Sequence, residues 1–214
     1  MIGPLRGMKR CPHCGIADPR LEIVWASQGQ THRADGGKGT YWGAFQCSTC
    51  GSIVLANSSK AGPVLGETQI ERIIPAEKVA HEDLPPTARH YLQQAYMTLA
   101  APDAATVMAA SAVDAMLKEV GYPEGKLYPR IEKALKDHVL TEGMAKWAHA
   151  VRLEANNVRH ADEEKPHATP EEAAQAVEFA EALGSFLFVL NARIERGLAK
   201  ASDSSGTTKP QPNP

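Results

Sequence analysis

The 214-residue sequence predicts an α+β protein, mainly α, in which a small N-terminal β-domain precedes an α-helical bundle. Two observations carry this. All four cysteines fall in two Cys-x-x-Cys-Gly pairs before residue 52, with aromatic and β-branched runs between them. From Leu84 onward the chain turns alanine-rich, and signals that start and stop helices recur along it. Leu21–Ala26, Tyr41–Gln46 and Ser52–Ala56 read as strands, with Gly36-Gly37-Lys38-Gly39 as a loop between the first two. Gly62, Pro63 and Gly66 mark a linker that leads to the extended stretch Ile70–Pro75.

Pro85-Pro86 opens a helix to about Leu99, and Pro102-Asp103 opens a second that Gly121 stops, with Pro123 behind it. A third helix is predicted over Pro129–Leu140 and a fourth over Glu142–Ala161, which breaks into the loop Asp162–Ala168. Thr169-Pro170-Glu171-Glu172 then supplies an N-cap, an N1 proline and a capping-box glutamate for a last helix to about Lys200. The division is therefore 1–60 for the cysteine-bearing domain, 61–83 for a linker, 84–200 for the bundle and 201–214 for a tail too polar to pack.

In each cysteine pair, Cys11/Cys14 and Cys47/Cys50, two residues separate the thiolates so that both sulfurs reach one ion, and the following glycine permits the tight turn. Two such knuckles complete a tetrahedral S₄ shell suited to one structural Zn²⁺ per chain, and residues 1–60 thereby read as a zinc ribbon. An iron–sulfur cluster or rubredoxin-type iron shares this ligand set, and a redox Cys-x-x-Cys pair is the alternative chemistry. A closed Cys₄ shell leaves no position for substrate. His13 and His32 lie nearby as further candidates and are read as surface residues. Trp25, Tyr41, Trp42 and Phe45 either stack on nucleic-acid bases or form the ribbon's core.

Formal charge is −2 overall but unevenly spread: seven basic residues against three acidic ones give residues 1–60 a charge of +4, leaving −6 for the remainder. A surplus of that size permits contact with nucleic acid without requiring it. The most apolar local run, Phe186 to Leu190, is too short to span a bilayer and the first ten residues lack a signal peptide's apolar stretch, so the expected location is cytoplasmic, with no membrane.

The fourth helix holds the candidate site. At ~100° per residue with Val151 at zero, Met144, Trp147, Ala148, Val151, Ala155 and Val158 cluster within roughly 60°, which is a core face. Beside it, at about 80° to 180°, lie Arg159, Arg152, Asn156, His149 and His160. Arginine suits phosphate contact, asparagine hydrogen-bond positioning, and histidine proton transfer near neutrality. The bland alternative is that these side chains cap neighbouring helices and pair with acids such as Asp114 or Asp162.

The Cys-Pro-His-Cys-Gly start, the second Cys-x-x-Cys-Gly, Leu84-Pro85 before alanine-rich helices and the late Arg152-x-x-x-Asn156-x-x-x-His160 resemble the domain of unknown function family 4145, itself similar to the HEPN superfamily. The resemblance covers roughly residues 70–195 and implies a HEPN-like α-helical bundle. It also implies a dimer and a setting in mobile-element or phage defence. Many HEPN proteins cut RNA through an Arg-polar-x-x-x-His motif; here Asn156 and His160 match its last two positions, as catalytic candidates, while Ala155 occupies the arginine position. The usual Arg-x-x-x-Glu of the second helix stands as Ala110-Ser111-Ala112-Val113-Asp114, keeping the acid and losing the arginine.

The expected function is accordingly a nucleic-acid-associated accessory or regulatory protein that binds RNA or DNA through Arg152, Arg159 and His149. Its rivals are a metal-independent HEPN-type endoribonuclease using His160, and a non-catalytic adaptor for a protein encoded by a neighbouring gene. A homodimer is expected through the helices, where Ala100-Ala101, Ala104-Ala105 and Ala109-Ala110 allow close approach.

Overall fold

The computed structural model describes residues 3–60, 70–160 and 167–205. Gly62, Pro63 and Gly66, the loop residues 161–166 including Asp162, and the tail from 206 onward lie outside the described residues. The chain forms two compact units, Met1–Val79 with Tyr96–Ala101 and Ala80–Ala95 with Pro102–Pro214.

The first unit is an antiparallel sheet of four strands in chain order, β1 (Leu21–Ala26), β2 (Tyr41–Cys47), β3 (Ile53–Ser58) and β4 (Arg72–Ile74). The extended stretch 70–75 thus joins the sheet, Leu55 pairing with Ile74. Side chains alternate across the pleat. Leu21, Phe45, Cys47, Val54 and Ala56 point to one face and bury together with Leu5 and Cys11. The other face carries a row that runs across all four strands, Trp25 opposite Ala44, Ala44 opposite Leu55 and Leu55 opposite Ile74. The four aromatics divide accordingly: Phe45 is core, Tyr41 packs at the core's edge, Trp42 is half-buried and Trp25 is exposed.

The second unit is helical: α1 (Pro86–Met97, whose last two residues fall in the first unit), α2 (Pro102–Glu119), α3 (Leu127–Lys136), α4 (Glu142–His160), α5 (Pro170–Gly184) and α6 (Leu190–Ser205), with a π turn, Ser185–Val189, joining the last two. Helix α2 is central and packs on α4 and α5. Its buried residues include Ala105, Ala109, Ala110 and Ala112, small side chains that let helix axes come close. Near the end of α5 the approach is tight enough that a Cβ on Gly184 would lie 2.7 Å from Leu84 Cδ2 and 2.9 Å from Met116 Cε.

The helix ends follow their chemistry. Gly121 has φ 107°; its N–H bonds to the Lys118 carbonyl (3.2 Å) and that of Tyr122 to the Leu117 carbonyl (3.0 Å), a Schellman closure of α2. Thr169 caps α5 through a reciprocal box, its Oγ1 accepting from the Glu172 N–H (3.2 Å) while Glu172 Oε2 accepts from the Thr169 N–H (3.0 Å). Helix α3 begins two residues before Pro129 and ends well short of Leu140, where His138 takes a positive φ of 59°. The predicted last helix continues beyond Lys200, with the π turn inside it. Among the described residues, 170–202 form one helical stretch long and apolar enough to cross a membrane by length and composition, and 44% of its most apolar window is buried within the molecule.

Candidate functional site

Among the described residues, two places gather chemistry-bearing side chains. The first is the cysteine cluster. The two knuckles repeat one backbone geometry: the Gly15 N–H bonds to the Cys11 carbonyl (2.9 Å) and the Gly51 N–H to the Cys47 carbonyl (2.8 Å), with φ of 72° and 74° at the glycines. Only glycine takes that conformation without strain, and it turns each second cysteine back beside the first. The result is four sulfurs all within 4.8 Å of one another, Cys11 Sγ and Cys50 Sγ at 4.0 Å, with no disulfide. A tetrahedral ion with ~2.3 Å metal–sulfur bonds sets its ligands about 3.8 Å apart, so the four cysteines can hold a metal ion.

The electrostatics agree with that use. Burial raises the Cys11 thiol and pushes the Cys14 thiol up to about 12. At Cys50 burial is outweighed by hydrogen bonds from Ser52 and from the neighbouring cysteines, and the thiol comes down to about 7. Neither nearby histidine belongs to the cluster: His13 Nε2 is 2.9 Å from the Ile53 carbonyl oxygen, and His32 is exposed beside the Thr31–Thr40 bridge.

The second place is a cleft of about 600 Å³ in the helical unit. Helix α4 contributes Arg152, Ala155, Asn156 and Arg159; α2 contributes Ser111, Asp114 and Lys118; the start of α3 contributes Tyr128, with Lys126 just before it; and α1 contributes Thr87 and Tyr91. The core side of α4 lies as its periodicity predicts, with Ala148, Val151 and Ala155 buried and Met144 and Val158 half-buried. Trp147 departs from it: the ring is partly exposed and lies over Phe179, centroids 5.0 Å apart.

Charge in this cleft is unequally satisfied. Asp114 is bound on one side by the buried Arg130 and on the other by Lys118, at 2.7 Å. Arg130 also donates to the carbonyls of Tyr122, Pro123 (3.1 Å) and Gly125 (2.8 Å), so its fork is used up in fixing the loop between α2 and α3. Arg152 and Arg159, in contrast, pair with no carboxylate among the described residues. The Arg152 guanidinium lies 5.2 Å over the Tyr128 ring, and its buried Nε has no hydrogen-bond partner. Arg159 reaches Ser111 Oγ only at 3.5 Å, the outer limit of a hydrogen bond.

The histidines of the stripe lie outside this arrangement. His149 is 2.7 Å from Glu132 Oε1 and packs its ring 4.8 Å from that of Tyr128, so it supports Tyr128 without lining the cleft. His160 is exposed in the last turn of α4 and is not among the lining residues. Ala155 is buried at the cleft wall, presenting a methyl group. Tyr91, Lys118, Lys126 and Tyr128 were not foreseen as site residues; they come from three other segments, and no spacing in the sequence joins them to α4. Together, Arg152 and Arg159, which have no carboxylate partner among the described residues, an amide and phenol rings form a set that can hold anionic oxygens and stack on a flat ring.

No curated protein and no solved structure matches the chain. A family model described as Domain of unknown function (DUF4145) matches residues 93–200, just over half of the sequence.

Proposed function

We propose that this chain, which belongs to the DUF4145 family, is a nucleic-acid-associated accessory or regulatory protein: a zinc ribbon joined to a HEPN-like helical unit whose cleft grips backbone phosphate. One observation supports this above the rest. Arg152 and Arg159 line the same cleft as Asn156 and Tyr128, yet neither has a carboxylate partner among the described residues, while of the two acids that line the cleft, Asp114 and Glu119, Asp114 is held by Arg130 and Lys118. An arginine with a buried, unbonded Nε carries a desolvation cost that an anionic ligand would offset.

In this reading the cysteine cluster binds one structural Zn²⁺ that contributes to folding and takes no part in chemistry. The cleft binds without cutting. Attack by an RNA 2′-hydroxyl on its own phosphate needs a base for that hydroxyl and a fixed cation for the charge developing on phosphorus. The loss of one such positioned donor costs roughly 10²–10³ in rate. Here the motif's arginine position is the methyl of Ala155, and His160, the candidate base, does not line the cleft. The protein is proposed to act in the cytoplasm as a homodimer, with mobile-element or phage defence as its setting.

The test uses the full-length, metal-loaded protein with labelled single-stranded RNA and DNA, with and without a chelator, from 50 to 300 mM salt. Binding that weakens steeply with salt and leaves the strands intact is the expected result. Degradation of RNA in chelator, abolished by His160→Ala, would establish the endoribonuclease instead. Absence of binding to either polymer at the lowest salt would favour the adaptor.

A further inference from the structure

The cleft differs in charge from the unit that holds it. The helical unit carries 19 acidic against 14 basic residues, a net −5. Among the residues that line the cleft, Lys118, Lys126, Arg152 and Arg159 stand against Asp114 and Glu119, a local +2. A polymer held along its length needs a cationic groove that follows successive phosphates. Here such a strand would leave the cleft onto a unit whose net charge has its own sign. The volume of about 600 Å³ falls within the range of small-molecule pockets, about 300–1,000 Å³.

Helix α3 adds donors that the arginines do not account for. Its first residues, Leu127 and Tyr128, line the cleft together with Lys126, its N-cap. Lys126 makes no side-chain cap, and the first turn of α3 holds no acid. Helix α5 of the same unit is, by contrast, closed by the Thr169–Glu172 box and carries Glu171 and Glu172 in its first turn. An uncapped helix start leaves N–H groups for an outside acceptor, with the positive end of the helix dipole behind them. Over the Tyr128 ring lies Arg152, whose buried Nε has no hydrogen-bond partner. Lys126 pairs with no carboxylate among the described residues. An internal phosphodiester brings one charge and two unesterified oxygens to this set. A phosphomonoester brings three oxygens and, near neutral pH, a charge of about −1.5 to −2, which matches the local +2.

We infer, on the reading of the cleft as a phosphate site, that it selects a terminal phosphomonoester, at the end of a strand or on a free mononucleotide, over an internal phosphodiester. Arg152, Lys126 and the uncapped start of α3 are the groups that discriminate. A strand end needs only the cleft, and its remaining phosphates are free to point away from the acidic unit.

Calorimetric titration of the full-length, metal-loaded protein tests this with one short single-stranded RNA in four forms: hydroxyl at both ends, phosphate at the 5′ end, phosphate at the 3′ end, and closed into a circle. At least one phosphorylated form should bind about 10-fold tighter than the hydroxyl-ended strand, and the circle no tighter than that strand. Lys126→Asp gives α3 the cap and the acid it lacks, so it should abolish the gain with the thermal stability of the helical unit unchanged or raised. Arg152→Ala should abolish the gain in protein that circular dichroism shows to be helical. Adenosine 5′- and 3′-monophosphates separate the two sources: affinity matching that of the phosphorylated strand assigns the free mononucleotide, and weaker binding assigns the strand end. Equal binding of all four RNA forms would overturn the end preference while leaving the cleft as a site for backbone phosphate. A gain that survives both variants would overturn its placement in the cleft. Absence of binding by every RNA form and by both mononucleotides would remove the phosphate reading and this selection with it.

Discussion

In the cysteine-centred unit the hydrophobic core cluster is Leu5, Leu21, Phe45, Val54 and Ala56 together with Cys11 and Cys47, so two of its seven residues are candidate metal ligands. In the helical unit the interior is apolar over several packed helices, and Arg130, the one buried cation among its described residues, is matched by Asp114 and three carbonyls. A sheet with so small a core needs a staple to stand, whereas a bundle that closes on itself does not. The two units should therefore fail for different reasons, and the largest effect separates them most sharply. Chelation, or Cys47→Ser, removes a term that reaches about 10–16 kcal/mol for structural zinc in small finger peptides. The outcome expected is loss of tertiary structure over 11–58 with the helical circular dichroism retained, and it is checked by near- and far-ultraviolet dichroism with metal analysis. Full folding of a metal-free protein would remove the distinction.

The helical unit should break at Arg130. Arg130→Met leaves Asp114 without its buried partner and frees three carbonyls, a loss of about 3–5 kcal/mol by analogy with other half-removed buried pairs. Urea unfolding followed at 222 nm should record it, with the metal content unchanged.

A smaller contrast lies within the cysteine unit, between its two turn glycines. Gly51→Ala would bring the new Cβ no closer than 4.0 Å to Gln46 Nε2, an ordinary contact, and should cost only the left-handed strain, about 1–2 kcal/mol. At Gly15 the same Cβ would lie 2.7 Å from the Tyr96 carbonyl oxygen, within the same unit, so Gly15→Ala should cost more. Metal release rates under a chelator compare the two, and equal rates would mean that the backbone gives way at Gly15. Smallest of these is Thr169→Ala, which removes the α5 cap and should lower the stability of the helical unit by about 1 kcal/mol in the same urea titration.

What could be read from residues alone was whatever is local. A knuckle needs two cysteines and a glycine within five positions, so both halves of the cysteine cluster are visible at Cys11–Gly15 and Cys47–Gly51. Helix ends set by Gly121 and by the Thr169 box are visible for the same reason. The end of α3 at His138 is not, because a histidine at positive φ has no distinguishing sequence signal. Nor is the π turn within Ser185–Val189, where every residue type is compatible with an ordinary α-helix. The cleft is legible on α4 alone, where Arg152, Asn156 and Arg159 share a face. Tyr128, Lys126, Lys118 and Tyr91 join them by tertiary packing, and so does Arg130, which takes up the Asp114 carboxylate that the stripe arginines had seemed placed to meet.

The contrast between Arg130, bound to a carboxylate, and Arg152 and Arg159, without a carboxylate partner among the described residues, is where the functional claim rests, and one titration addresses it. Binding of single-stranded RNA is measured against salt for the wild type and for Arg152→Ala with Arg159→Ala, in protein shown by circular dichroism to be folded. Each lost phosphate contact flattens the slope of log K against log salt by about 0.7. The double variant should bind more weakly and lose up to ~1.4 of that slope. Unchanged affinity and unchanged slope would mean that phosphate is held elsewhere and that the cleft is not the nucleic-acid site.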